Sequence, residues 1–306
     1  MRALLSRIMQ ARSQAIIVAS LSLLFPPFSF VCGGVTGLVT LRYGLAEGIL
    51  VAGTAMLLAG ISAWFILDTI IPIIAFAVMT GLPILVLATV LRITRSLATT
   101  VTVAGLLGAI AAIGLHIAVD DPLTWWRDRL YRILVEQPPD GTSAIGAEMT
   151  EKLETLVDIL APMMGALPAV AVLGVILTLF LARWWHAVLD NPGGFGDEFR
   201  GLRFDRRLAM TAIIIAGITI FAGQTIDIGN DLLQIFIVLY LFQGLAVAHG
   251  IIATRGASTG WFVALYSLLL LIPPIMTNLL VITGLVDTWF DFRARAAAGG
   301  QYPRKP

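Results

Sequence analysis

Seven stretches of this sequence stay apolar for close to the length of a membrane crossing: 46–64, 66–91, 98–119, 162–183, 208–223, 232–253 and 259–286. An α-helix needs about 20 such residues to span the hydrocarbon layer, so each stretch is predicted to be a transmembrane helix. Within lipid the backbone has no water to bond, and a helix satisfies its own N–H and C=O groups. Composition leads to the same place. Only 13% of the residues are charged and 58% are hydrophobic, against roughly 25% charged in soluble domains, so a water-facing exterior could not be covered. The expected fold class is all-α, a polytopic transmembrane helical bundle of about 8–9 spans.

The same composition narrows function. A net charge of +1, with basic residues scattered singly or in pairs, offers no field for nucleic acid. Cys32 is alone, which excludes an intramolecular disulfide, and with three scattered histidines no zinc or other metal site is expected. No cofactor motif and no catalytic cluster is visible, so no enzyme activity is expected. The basic residues are arginine apart from Lys152 and Lys305, a bias pointing to a bacterial genome and hence to the inner membrane. Arg2, Arg7 and Arg12 precede AIIVASLSLLF in the charge layout of a signal peptide. No small-x-small cleavage site follows, and Val31 before Cys32 is too bulky for lipoprotein processing. The segment is expected to remain as a membrane helix with its N-terminus cytoplasmic.

Arginine-rich loops stay on the cytoplasmic side. Arg42, Arg92 with Arg95, the five arginines of 183–207 and Arg255 all satisfy that rule only if 13–41, which carries Pro26-Pro27 and Gly33-Gly34, crosses twice. The expected count is then nine, with 120–160 outside, where nine acidic residues face four basic ones. This places the tail with Arg293, Arg295, Arg304 and Lys305 outside, unless 259–286 is itself a hairpin broken at Pro273-Pro274. SLLFPPF and TGLV at Thr36 repeat the spacing of LLLIPPI and TGLV at Thr283. Such paired interruptions point to a transporter-like inverted repeat, or to chance among common membrane residues.

Three regions follow: N-terminal membrane helices 1–119, an external loop 120–160, and C-terminal membrane helices 161–306 with a cytoplasmic loop 184–207. In the external loop PLTWWRDRLYRILVE reads as an interfacial amphipathic helix with Trp125 and Trp126 at headgroup level. AEMTEKLETLVDIL is expected to start the helix that enters the membrane at Ala161. The loop NPGGFGDEFRGLRFDRR lacks the lysine of a phosphate-binding loop. It resembles a cyclase signature in letters only, with Phe195 inserted. Its Arg200, Arg203, Arg206 and Arg207 are candidate contacts for anionic lipid or a partner, or simply set orientation.

Polar side chains in a span are costly and therefore functional candidates. Gln224, Asp227, Asn230, Asp231 and Gln234 recur at spacings that share a helix face near the outer mouth, where they hold a cation or polar solute or form a solvated turn. Gln243 and Asn278 either line a cavity or bond across helices. His116, with Asp120 one turn on, Asp68 and His249 lie near span ends, as capped groups or a proton relay. Small residues at four-residue spacing, such as Ala11, Ala15 and Ala19, or Gly244 and Ala248, permit close helix approach. An Ala11/Ala15/Ala19 face left open to lipid could dock a second membrane subunit.

RWWHAVLDNPGGFGDEFRGLR at 183–203, YLFQGLAVAHG at 240–250 and GLVDTWFDFR at 284–293 together resemble the YybS-like family of bacterial membrane proteins of unknown function. That resemblance brings no known chemistry. Residues 13–119, with LRYGLAEGILVAGTAML after a kinked hairpin, are more loosely similar to S components of energy-coupling-factor transporters and to MreD-type shape proteins. The S-component likeness implies a coupling partner met through Ala11, Ala15 and Ala19. The functional expectation is a transporter-type, solute-binding membrane subunit without an ATPase of its own. The alternative is a scaffold recruiting partners through 191–207. They separate on whether Gln243, Asn278 and the Asp227–Gln234 face converge on one polar pocket.

Overall fold

The computed structural model describes residues 1–119, 121–136, 147–222 and 227–299. In chain order the helices are α1 (Arg2–Ile8), α2 (Arg12–Leu24), α3 (Ser29–Tyr43), α4 (Leu45–Leu67), α5 (Ile71–Phe76), α6 (Leu82–Thr94), α7 (Leu97–Ala118), α8 (Pro122–Tyr131), α9 (Ala147–Met163), α10 (Leu167–Asp190), α11 (Gly194–Arg200), α12 (Arg206–Ala222), α13 (Asp227–Thr254), α14 (Gly260–Leu271), α15 (Pro273–Phe290) and α16 (Phe292–Gly299). The described residues contain no strand. A π-helical turn, Ala77–Gly81, joins α5 to α6, and a 3-10 turn, Met164–Ala166, joins α9 to α10.

Five helical segments among the described residues are long and apolar enough to cross a bilayer: Leu45–Ile66, Ile71–Thr94, Leu97–Ala118, Met149–Asp190 and Ile228–Thr254. The pair α15 and α16, bent by 70°, would make a sixth. The count falls below the expected 8–9 because prolines cut 13–41 and 259–286 into pieces of 13, 15, 12 and 18 residues. The surface is apolar: Phe65, Leu270 and Phe221 are 83%, 81% and 93% exposed, an arrangement suited to a lipid surround rather than water.

Long-range bonds define an arginine end. Arg12 pairs with Glu47 at 2.5 Å, Arg42 with Asp190 at 3.2 Å, and Arg92 donates to the Leu41 carbonyl at 3.1 Å. Arg293 donates to the carbonyl of Leu202 at 2.9 Å. The C-terminal segment thus lies at the same end as the arginine loop, which corrects the expectation that nine crossings would leave it opposite. The physical reason is the alternative hairpin: α14 leaves this end with its Phe262 against His249 of α13, and α15 returns to it, with Ile272 to Pro274 at the turn.

Residues 13–41 behave alike. α2 starts at the arginine end, turns at Pro26–Phe28, and α3 packs back against it. Both proline-paired hairpins therefore enter from one end, and the inverted-repeat expectation does not hold. The echoed TGLV segments do share a packing role. A Cβ on Gly37 would lie 2.8 Å from Ala182 Cβ of α10, and one on Gly284 would lie 2.5 Å from the Tyr240 carbonyl oxygen of α13. In each case glycine lets the returning helix close onto a long central helix running the same way. α10 and α13 meet through Phe180 and Phe242, with ring centroids 5.1 Å apart, so the two glycine contacts sit at similar depth.

Candidate functional site

At the arginine end the three segments that carry the family resemblance come together. Gln243 of α13 is fully buried and bonded on both sides of its amide. Its Oε1 accepts from the Phe204 N–H at 2.9 Å, and its Nε2 donates to the Gly284 carbonyl at 2.7 Å and to Thr288 Oγ1 at 3.2 Å. One turn of α15 further, the buried carboxylate of Asp287 accepts from Arg293 at 2.7 Å and from the Phe292 N–H at 2.8 Å. Arg203 bridges Asp291, at 2.6 Å, and the Thr288 carbonyl, at 3.1 Å. Arg183 Nε donates to Glu198 at 2.9 Å. Each of these side chains has an internal partner, so the node latches residues 200–204 onto α15 and α16.

At the far end the arrangement differs. His116 of α7 lies 3.0 Å from Asp231 of α13, with side chains 16% and 8% exposed. The partner expected for His116 was Asp120, which lies outside the described residues. Asp231 fits because the 3-10 turn places Gly165 beside it; a Cβ there would come 2.9 Å from Asp231 Oδ1. This pair lines a cavity of about 170 Å³ with Asn230, Gln234, Gly165 and Trp126. A second cavity, about 490 Å³, adjoins it at Trp126 and runs between α6, α7 and α10 past Pro83, Ala111 and Ala171. Its lining is almost wholly apolar. The π-helical turn 77–81 contributes Val78 and Met79 to that lining, and such insertions recur at functional sites because they displace one helix face. The Trp126 indole nitrogen is buried and has no hydrogen-bond partner among the described residues.

The sequence-derived candidates thus divide. Asn230, Asp231 and Gln234 share one cavity; Gln224 and the side chain of Asp227 lie outside what is described. Gln243 is spent in the latch twelve residues along α13, and Asn278 is exposed on α15, so neither converges with that face. Ala15 and Ala19 are 3% and 0% exposed within the packing of α2 against the first-half helices, while Ala11 is exposed; they form no open docking stripe. Arg203 belongs to the latch, Arg200 pairs with Asp197, and Arg206 and Arg207 are exposed. Sequence reasoning missed Trp126 as a lining group, Asp287 with Arg293 as a buried pair, and the His116–Asp231 contact. The unexplained Asp and Arg of DTWFDFR was the signal for the second of these. Among the described residues no three His, Cys, Asp or Glu side chains group as metal ligands.

No curated protein and no solved structure matches the chain. A family model described as a predicted membrane protein, DUF2232, matches residues 14–288. That match takes in 183–203 and 240–250 whole, 284–293 as far as Thr288, and the α7–α13 pocket. The chain therefore belongs to this family of membrane proteins of unknown function, which the YybS-like name fits.

Proposed function

We propose that this protein is a transporter-type, solute-binding membrane subunit without an ATPase of its own, whose site is the pair of adjoining cavities at the far end of the bundle. The observation that carries this reading is the His116–Asp231 pair, nearly enclosed within an apolar bundle and facing a cavity. A carboxylate in a span is costly and is kept where it meets a partner or a solute. The combined volume lies in the range of about 300–1,000 Å³ typical of small-molecule sites. In this reading the arginine end is cytoplasmic, α1 and α16 share it, and α8 with α9 stands outside an inner membrane, with Trp125 at the interface. Counting both hairpins, the helices then make about ten passes, some of them shorter than the bilayer is thick.

The scaffold alternative would use the 191–207 loop, where Arg200 and Arg203 are engaged internally and Arg206 and Arg207 remain exposed. Purification from native membrane, followed by mass spectrometry of bound small molecules and copurifying proteins, tests the proposal. The expected result is a bound molecule lost in Asp231→Asn, with a stoichiometric ATPase pair among the proteins. A cell-wall or division complex and no bound molecule would overturn it.

A further inference from the structure

Resting on that solute-binding reading, we infer that the occupant is a single-tailed lipid with an uncharged hydrogen-bonding head, its tail between α6, α7 and α10 and its head beside Asp231. The two cavities differ sharply in chemistry yet meet at one side chain, Trp126. The larger, at about 490 Å³, offers an extended apolar channel. Filling it with a polar solute would leave that solute's groups unpaired at a cost no free energy of contact repays. An alkyl or isoprenoid tail loses nothing there.

The smaller cavity supplies the opposite environment at the channel's end. Trp126 is the wall common to the two cavities, its own indole nitrogen being buried. Asn230 and Gln234 add carboxamides, each able to donate and accept. The formal charge beside them is that of Asp231, which pairs with His116 at 3.0 Å. Among the described residues no arginine or lysine lines either cavity. A phosphate head would therefore meet a carboxylate with no cation to neutralise it, whereas a hydroxyl or ester head finds both donors and acceptors. Entry is lateral, because residues such as Val86 and Ala111 that line the channel are exposed on the surface that lipid would cover.

The test uses the full chain in phosphatidylcholine nanodiscs with a monoacylglycerol carrying a tail diazirine, and an alkyl phosphate of the same chain length as competitor. Labelling is expected on peptides of α6, α7 and α10, reduced at least tenfold by Ala171→Phe, which blocks the channel, and several-fold by Gln234→Met. Excess unlabelled monoacylglycerol should abolish it and the alkyl phosphate should not. Where Ala171→Phe does not give a monodisperse protein, Ala111→Phe replaces it. Equal competition by the phosphate, or labelling indifferent to the blocking variants, would overturn the inference. If glycerol alone displaced the probe, the lipid assignment would fall while solute binding stood. Absence of any saturable labelling, with a different bound solute found in the native-membrane preparation, would have the same effect.

Discussion

The crossing of α13 and α15 gives the sharpest quantitative expectation. A Cβ added by Gly244→Ala would fall on the Leu280 carbonyl, 2.6 Å from its carbon, and ordinary contact begins near 3.4 Å. The obstacle is backbone, which cannot rotate aside, so the two helices must separate by about 1 Å. The Gln243 to Gly284 bond, now 2.7 Å, would then stretch beyond useful geometry. Overpacking costs about 1–3 kcal/mol, and stranding the buried amide and carbonyl costs about 1–3 kcal/mol more. Alanine returns about 1 kcal/mol of helix propensity. The net loss is about 3 kcal/mol. Scaled by the response of soluble domains of similar size, that is roughly a 6–12 °C fall in melting temperature, read by thermal denaturation in nanodiscs. Gly60→Ala and Gly114→Ala, where a Cβ meets nothing within 4 Å, should melt at or slightly above the wild-type temperature. A Gly244→Ala protein that melts with these controls would refute the close crossing.

Arg293→Met leaves the Asp287 carboxylate buried without its cation, and should cost about 3–5 kcal/mol in the same melt, part of it recovered in Arg293→Met/Asp287→Leu; equal melting of single and double variants would count against a buried pair. Asp121 caps α8 by accepting from the Thr124 hydroxyl and from the Thr124 and Leu123 amides, which holds its carboxyl below the usual range. Because the folded value is the lower one, the cap contributes above the ordinary carboxylate pKa of about 3.9 and is lost as pH falls below it. Fluorescence of Trp125 and Trp126 should therefore shift below about pH 4 in the wild type and not in Asp121→Asn, since asparagine caps without titrating. In a Cys32→Ala background, Ser258→Cys and Ala298→Cys should react with an impermeant maleimide from one side of vesicles and Thr124→Cys from the other; labelling of all three from one side would undo the end assignments.

What the sequence made legible was set by range. Helix class and the lipid surround follow from local apolar length, and the hairpin turn of 13–41 from adjacent prolines, because these act within a few residues. The hairpin at Pro273-Pro274 is, from sequence, only the alternative to a single crossing. The Asn230, Asp231 and Gln234 face followed from helical spacing. Contacts set by packing between distant helices did not. Nothing local distinguishes Gln243, which is bonded across helices, from Asn278, which faces outward. Ala15 and Ala19 have the spacing of a docking stripe, yet small residues serve internal and external contacts alike, and here they are consumed within the chain. His116 found its carboxylate 115 residues away rather than one turn along its own helix.

The distribution of these ties bears on how such a subunit would work. The arginine end is bound by the Asp287–Arg293 pair, the Gln243 bridge and the Arg183–Glu198 pair, while the far end encloses a cavity behind one histidine and one carboxylate. Arg203 with Asp291 is about one-third exposed on each side chain, and such a pair contributes only ~0–1 kcal/mol. Asp287 is different: separating it from Arg293 within the bundle costs several kcal/mol. A gap of about 5.5 kcal/mol is what shifts a two-state population from 1:99 to 99:1, so on the proposed reading the Asp287–Arg293 pair is what holds the arginine end shut. On that reading, release toward the arginine end would require a partner that binds the open form preferentially. Dependence on a separate energising component is what the proposed solute-binding role would entail, and breaking Asp287–Arg293 alone should loosen it.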